Sequence, residues 1–232
     1  MKRVTSQTTH HGNPHCVFLL HGLCRTSRSM GKLHKALVRA GYDVVNVNYP
    51  SRHFPLARLA QDVLDHIRVH THQKHYARIH FVTHSMGGII VRHMLATHTF
   101  SNLGRVVMLS PPNQGSEVVD RLRHLSLYQW LNGPAGLELG TSPNNPPSRL
   151  GPAHFDLGII AGRKTINFLL STMIPGENDG KVSTQRAQLA GMQDFLVVNA
   201  THPFIMKNSK VIGQVLAYLR EGRFQHAGCR NR

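Results

Sequence analysis

Three side chains that could act together in nucleophilic catalysis follow one another along the chain: Ser85, Asp179 and His202. A serine hydroxyl attacks a carbonyl carbon efficiently when an imidazole accepts its proton and a carboxylate orients that imidazole. Ser85 lies in the stretch Thr-His-Ser-Met-Gly, between a predicted buried strand and a predicted apolar helix. A sharp turn there is typical of a nucleophile elbow, which lifts one hydroxyl clear of the sheet edge. The alternative is an ordinary strand-to-helix turn that carries a serine.

Two features of this turn bear on that choice. Gly87 has no side chain and would let the helix pass close to the strand, while the helix N-terminus directs positive potential at a developing oxyanion. The usual pattern is Gly-x-Ser-x-Gly, and Thr83 replaces its first glycine here. A β-branched residue therefore occupies a position where close backbone approach is expected.

Several carboxylates compete for the role of orienting the imidazole. Asp179 precedes Gly180 in a predicted turn, and Glu177 is its only near rival. The other carboxylates between Ser85 and His202 fall at predicted strand starts, on a helix or in a long loop: Glu117, Asp120, Glu138, Asp156 and Asp194. The turn context favours Asp179.

Two histidines compete for the role of general base. His202 directly follows the last predicted strand, at the edge where parallel strands present their loops. His84 is adjacent to Ser85, but a neighbour in a tight turn cannot easily reach the next residue's hydroxyl. His202 is therefore the predicted base, and a solvated surface histidine is the alternative for it.

Strands and helices alternate along the whole chain. Short apolar runs predict strands at residues 16–20, 43–48, 79–82, 105–110, 156–161 and 195–199. Apolar residues at helical spacing lie between them, as in Leu56, Leu59, Val63 and Ile67. Without internal repeats or a linker, this pattern predicts a single α/β domain over residues 1–232, with a doubly wound, mostly parallel sheet flanked by helices. Residues 1–14 are polar and predict a loose N-terminus.

The segment 117–152 interrupts this alternation. Residues 117–131 predict an amphipathic helix, and residues 132–152 form a long stretch rich in Gly, Pro, Asn and Ser. Such insertions often act as covers over an active site. We expect a short lid-like element here, with Leu125, Leu127 or Trp130 near the Ser85 hydroxyl.

Composition restricts the class of protein. The 232 residues suit one domain with a sizeable core, and no apolar run reaches the roughly 20 residues of a membrane span. No signal-peptide pattern follows the first charges, so a cytoplasmic location is expected. The three cysteines do not suggest a disulfide scaffold, and neither they nor the histidines show the spacing of a structural metal site.

The net charge of +16 favours anionic partners. The basic residues are scattered and match no nucleic-acid module, so no specific binding of nucleic acid is expected. Weak association with an anionic membrane surface and a merely solvated basic surface are both compatible with this pattern.

The chain resembles small bacterial lipases and esterases of the α/β-hydrolase superfamily. Four motifs carry the resemblance in sequence order: His21-Gly-Leu, His84-Ser-Met-Gly-Gly, Asn178-Asp-Gly-Lys-Val and Thr201-His. The stretch Pro112-Asn-Gln-Gly-Ser also resembles a segment of lipase-like members. Together these motifs span about residues 16–220.

The resemblance implies a small version of the α/β-hydrolase fold and the hydrolysis of carboxylic esters of lipid-like or other acyl substrates. Ser85 would be the nucleophile, His202 the base and Asp179 the orienting acid, acting through an acyl-enzyme without metal or organic cofactor.

The same resemblance assigns the surrounding residues. The backbone N–H groups of Leu23 and Met86 would form the oxyanion hole, and His21, Gly22 and Gly87 would support the adjoining loops. An acyltransferase or thioesterase would use the same three residues. A non-catalytic hydrolase scaffold that binds an anionic partner is the alternative from another class.

Overall fold

A six-stranded, entirely parallel sheet forms the centre of the molecule in a computed structural model that describes residues 14–226. The predicted loose terminus at residues 1–14 lies outside the described residues except for Pro14. The strands are β1 His15–Leu20, β2 Asp43–Val47, β3 Arg78–His84, β4 Leu103–Leu109, β5 Leu157–Gly162 and β6 Asp194–Val198. Their spatial order is β2-β1-β3-β4-β5-β6. The predicted fold class is confirmed.

Nine α-helices accompany the strands in the part of the chain that the structure describes. They are α1 Gly31–Arg39, α2 Leu56–Gln73, α3 Met86–Thr97, α4 Glu117–Leu122, α5 Ser126–Leu137, α6 Pro146–Arg149, α7 Phe168–Ser171, α8 Thr184–Ala187 and α9 Ser209–Glu221. Short 3-10 turns cover Ser27–Met30 and Ile205–Lys207.

The core has one layer on each face of the sheet. Side chains alternate along a strand, so neighbours such as Phe18 and Leu19 on β1 belong to different layers. Helices α2 and α3 cover one face, and α1 and α9 cover the other. Because apolar layers lie on both faces, the central strands are apolar throughout, which explains the continuous runs in the sequence.

The segment 117–152 differs from its prediction. The expected single helix at 117–131 is two helices, α4 and α5, and α5 continues to Leu137 across a kink at Gly133. Gly133 has φ +62° and lies against the backbone of Arg52, where a side chain would collide. The rest of the expected loop contains α6, and Glu138 accepts a hydrogen bond from the first N–H of α2 at 2.7 Å. The loop is therefore more ordered than composition suggested.

A buried arginine on α3 holds the far end of this segment. The Arg92 guanidinium donates hydrogen bonds to the backbone carbonyls of Asn113, Pro147 and Gly151, at distances of 2.9–3.0 Å. Burial lowers the pKa of Arg92 to about 10, so the group remains charged at neutral pH. The carbonyls of Pro147 and Gly151 thus tie α6 and its C-terminal flank to the helix that follows Ser85.

Within residues 14–226, no helix combines the length and apolar character needed to cross a bilayer.

Candidate active site

Ser85 lies in a strained turn between β3 and α3. Its φ of +52° and ψ of −123° are rare for a residue with a side chain, and such strain persists only where the surroundings enforce it. The cause is the close passage of α3 over β1: a Cβ atom at Gly87 would lie 2.7 Å from the Leu20 carbonyl oxygen. Thr83 does not prevent this approach, because it remains within β3, paired with Leu20 and Met108.

The three candidate catalytic side chains form one continuous hydrogen-bonded chain. The His202 Nε2 atom lies 3.0 Å from the Ser85 Oγ atom, and the His202 Nδ1 atom lies 2.8 Å from the Asp179 Oδ2 atom. The side chains of His202 and Asp179 are 6% and 1% exposed. Since a carboxylate only accepts, this network assigns the proton to Nδ1 and leaves Nε2 free to accept the serine proton.

The turn after Asp179 holds its carboxylate in place. The backbone N–H groups of Lys181 and Val182 donate to Oδ1, at 3.1 and 2.9 Å, which leaves Oδ2 for His202. The backbone N–H of His202 also donates to the Asp179 carbonyl at 3.1 Å. The rival Glu177 is 59% exposed and lies 3.7 Å from Arg163, so it takes no part in this network.

The loop after β1 runs beside Ser85. A Cβ atom added at Gly22 would lie 3.1 Å from the Ser85 Cβ atom, which puts the segment before Leu23 against the elbow. Leu23 also lines the cavity above Ser85. Met86 is the first residue of α3, where backbone N–H groups have no partner within the helix. Both predicted oxyanion-hole residues therefore flank the serine.

His21 supports this loop from beneath. Its Nδ1 atom lies 2.9 Å from the Gly22 carbonyl oxygen, and its Nε2 atom accepts from the Tyr49 backbone N–H at 3.4 Å. The two rings stack with centroids 4.1 Å apart, and the Tyr49 hydroxyl donates to the His21 carbonyl. Burial lowers the pKa of His21, so the imidazole is neutral at pH 7. These contacts are those of a residue that positions a loop.

A cavity of about 550 Å³ opens above Ser85 and His202. Apolar side chains from α4, α5 and the α7 region line much of it, among them Leu122, Tyr128, Leu131 and Leu170. The expected residues Leu125, Leu127 and Trp130 do not line it; they are exposed instead. The segment 117–152 thus contributes to the wall of the cavity through a different helical face from the one expected.

The match to a family profile decides what kind of chain this is. The profile described as the alpha/beta hydrolase family matches residues 17–206, which is most of the chain. The chain belongs to the α/β hydrolase family. Among curated proteins, no sequence matches it significantly.

Solved structures share the fold of this α/β hydrolase at low sequence identity. The mature lipase BlEst2 of Bacillus licheniformis has a TM-score of 0.67 and 22% identity, covering 93% of this chain and 96% of its own. A metagenomic carboxyl esterase has a TM-score of 0.65 and 19% identity, covering 88% and 68%. The esterase of Exiguobacterium antarcticum has a TM-score of 0.61 and 15% identity, covering 90% and 93%. At these identities the similarity concerns the fold.

In this α/β hydrolase, His84 has a contact that the sequence did not reveal. The His84 ring is buried, and its Nε2 atom lies 3.0 Å from the His202 backbone carbonyl oxygen. Burial lowers the pKa of His84 well below its usual value, with the nearby His202 as a further cause, so the ring is neutral. The neutral imidazole donates to that carbonyl and holds the backbone of the candidate base. The elbow motif showed only that His84 precedes Ser85, because the hydrogen-bond partner of His84, the His202 carbonyl, follows a strand far along the chain.

Metal ligands do not cluster in the described part of this hydrolase: no three His, Cys, Asp or Glu side chains of residues 14–226 come together as a site.

Proposed function

We propose that this α/β hydrolase is a serine esterase that cleaves carboxylic esters of lipid-like or other acyl substrates. The observation that carries the proposal is the chain of hydrogen bonds from Ser85 through His202 to Asp179, with both links at 2.8–3.0 Å. These are the distances at which a hydroxyl can pass its proton to an imidazole as it attacks.

The reaction follows from the orientation of the three groups. The Ser85 oxygen attacks the ester carbonyl while His202 Nε2 takes its proton, and the Asp179 carboxylate stabilises the imidazolium that forms. The N–H groups of Leu23 and Met86 bind the oxyanion of the tetrahedral intermediate. His202 then returns the proton to the leaving alcohol. Water cleaves the acyl-enzyme by the same steps, and neither a metal nor an organic cofactor is required.

A fluorophosphonate probe tests the nucleophile directly. We expect the probe to label Ser85 stoichiometrically, because an activated serine forms a stable phosphonyl ester, and we expect a panel of p-nitrophenyl esters of graded length to be hydrolysed. Peptide mass spectrometry locates the label, and heat-denatured protein is the control. Absence of both labelling and turnover would favour the non-catalytic scaffold.

A labelled enzyme that transfers its acyl group to an alcohol or thiol faster than to water would instead be an acyltransferase. A strong preference for thioesters over matched oxygen esters would indicate a thioesterase. Comparing these acceptors and leaving groups on the same acyl chain separates the three activities.

In this proposal residues 1–232 act as one domain, and the segment 117–152 is a partial cover of the active site. Leu122, Tyr128 and Leu131 would hold an acyl chain against the cavity wall and exclude water from Ser85. The hydrogen bonds of Arg92 to the carbonyls of Pro147 and Gly151 would anchor the cover at one end.

The proposed partner outside the cavity is an anionic lipid surface. Eight of the eleven exposed large apolar side chains of residues 14–226 belong to three segments that also contribute residues to the cavity wall: Leu125, Leu127, Trp130, Leu131, Ile166, Phe168, Leu169 and Phe204. Residues 121–131, 163–172 and 201–210, which carry them, contain six lysines and arginines and no carboxylate. Apolar tips among basic residues suit insertion into an interface that carries negative charge.

Vesicle co-sedimentation of the Ser85→Ala protein tests this partner. We expect binding to phosphatidylglycerol vesicles to exceed binding to phosphatidylcholine and to weaken as salt rises from about 0.01 to 1 M, because the screening length falls from about 30 to 3 Å. Trp130→Ser and Phe168→Ser should each lower the partition coefficient about tenfold, since each removes an exposed apolar side chain that the lipid interface would bury.

Val69→Ser is the matched control, because Val69 is an equally exposed apolar residue on α2. Binding that is equal for both lipids, absent for both, or no more sensitive to Trp130→Ser than to Val69→Ser would contradict the proposed surface.

A further inference from the structure

Two cationic residues from distant parts of the chain line the cavity above Ser85. Arg25 follows the loop that carries Leu23, and Lys181 lies two residues after Asp179. Both line the same cavity as Ser85 and His202. The remaining wall is largely apolar, and Arg25 and Lys181 are the two lysine or arginine residues in it.

These two cations have no counter-ion in the part of the chain that the structure describes. Among residues 14–226, neither the Arg25 guanidinium nor the Lys181 ammonium has a salt-bridge or hydrogen-bond partner. Asp179 is the one carboxylate among the lining residues, and it is committed to His202 and to backbone N–H groups. After Asp179, the next carboxylate in sequence is Glu177, which pairs with Arg163.

The pKa values of the two side chains show that this environment disfavours their charged forms. Desolvation lowers the pKa of Arg25. Lys181 is exposed, yet desolvation also lowers the pKa of its ammonium; the nearby Cys24 and Asp179 oppose that effect, and the charge of Arg25 adds to it. Two positive charges in a partly desolvated cavity repel each other. An anion that binds between them stabilises both.

We infer that Arg25 and Lys181 form a binding subsite for an anionic group, a carboxylate or a phosphate, on the ester that the enzyme cleaves. The inference rests on the proposed esterase function. The guanidinium offers a planar pair of donors and the ammonium a compact charge, which together suit a carboxylate or phosphate oxygen set. The hydrocarbon part of the substrate would lie against Leu122, Leu131 and their neighbours. The substrate class is therefore an amphiphilic ester with a negative charge near the scissile bond.

Matched substrate pairs test this subsite and locate the anion. For a charge on the acyl side, mono-p-nitrophenyl glutarate is compared with p-nitrophenyl pentanoate, which has the same number of acyl carbons. For a charge on the alcohol side, butyryl glycerol 3-phosphate is compared with monobutyrylglycerol. We expect kcat/KM for one anionic ester to exceed that of its neutral partner by about tenfold or more, as expected for a charged hydrogen-bonded contact.

Variants assign that preference to the two cations. Arg25→Gln and Lys181→Met should each lower the anionic-to-neutral ratio of kcat/KM about tenfold, because each leaves the anion with one partner. Arg39→Gln and Lys35→Met are the matched controls: both are exposed on α1, change the net charge equally and should leave the ratio unchanged. A ratio near one for both pairs in the unmodified protein, or one that falls equally in the controls, would overturn the inference.

A binding measurement separates this inference from the proposed chemistry. Calorimetry with the Ser85→Ala protein needs no turnover, and we expect hexylphosphonate to bind at least about tenfold more tightly than hexan-1-ol. Adding Arg25→Gln or Lys181→Met should remove that difference. If no ester is hydrolysed but this binding pattern holds, the proposed function fails and the anion subsite stands. If esters are hydrolysed but the two ligands bind alike, the subsite is wrong and the function stands.

Discussion

Ester turnover by the Ser85→Ala protein is expected to fall by roughly 10⁴- to 10⁶-fold relative to the unmodified protein, because residues of a catalytic triad act as a unit. His202 Nε2 lies 3.0 Å from the Ser85 oxygen, so removing that oxygen removes both the nucleophile and the group that the base activates. The measurement is kcat/KM on a p-nitrophenyl ester, with circular dichroism to check folding.

Ser110 provides a matched control for this substitution. It directly follows β4, is buried and also has a positive φ of 46°, but its hydroxyl accepts a hydrogen bond from the Gly162 N–H. Ser110→Ala thus removes the hydroxyl of a buried serine with a positive φ at the same sheet edge. It leaves the contacts of His202 unchanged. We expect it to retain most of its turnover. Comparable activity in the Ser85→Ala protein would transfer the nucleophile to another residue.

Asp179→Asn is expected to lower kcat by roughly 10⁴-fold, as replacement of the orienting acid does in serine hydrolases. The asparagine amide can keep its oxygen towards the Lys181 and Val182 N–H groups, so the turn is preserved. Its nitrogen would then face His202 Nδ1 and donate to it, which favours the tautomer with the proton on Nε2. That proton blocks the position that must accept the Ser85 proton.

Glu177→Gln is the paired substitution for this prediction. Glu177 is 59% exposed and its carboxylate lies 3.7 Å from Arg163, so the change removes only a weak surface ion pair. We expect kcat within about threefold of the unmodified protein, because an exposed pair contributes at most about 1 kcal/mol. A greater loss in Glu177→Gln than in Asp179→Asn would assign the orienting role to Glu177.

The amino-acid sequence alone determined which segments form the strands of the parallel sheet and where helices lie between them along the chain. Runs such as residues 16–20 and 156–161 are apolar throughout because both faces of a central parallel strand are buried, and this signal is local. Ser85 and His202 could likewise be recognised at predicted strand ends, which parallel strands bring to one edge of the sheet. Asp179 lies well beyond the end of β5 and was assigned from its turn with Gly180 and from the family resemblance.

Only the tertiary structure decided which neighbours these residues have. Helical periodicity at 117–131 predicted an apolar face, but Leu122, Tyr128 and Leu131 rather than Trp130 line the cavity, because the kink at Gly133 and the break before α5 set the direction of the helix. Arg92 and His84 bind partners far away in the sequence, and Arg25 and Lys181 line one cavity although they are distant along the chain. Such contacts depend on how distant strand ends and loops pack together, and no local pattern of residue types encodes that packing.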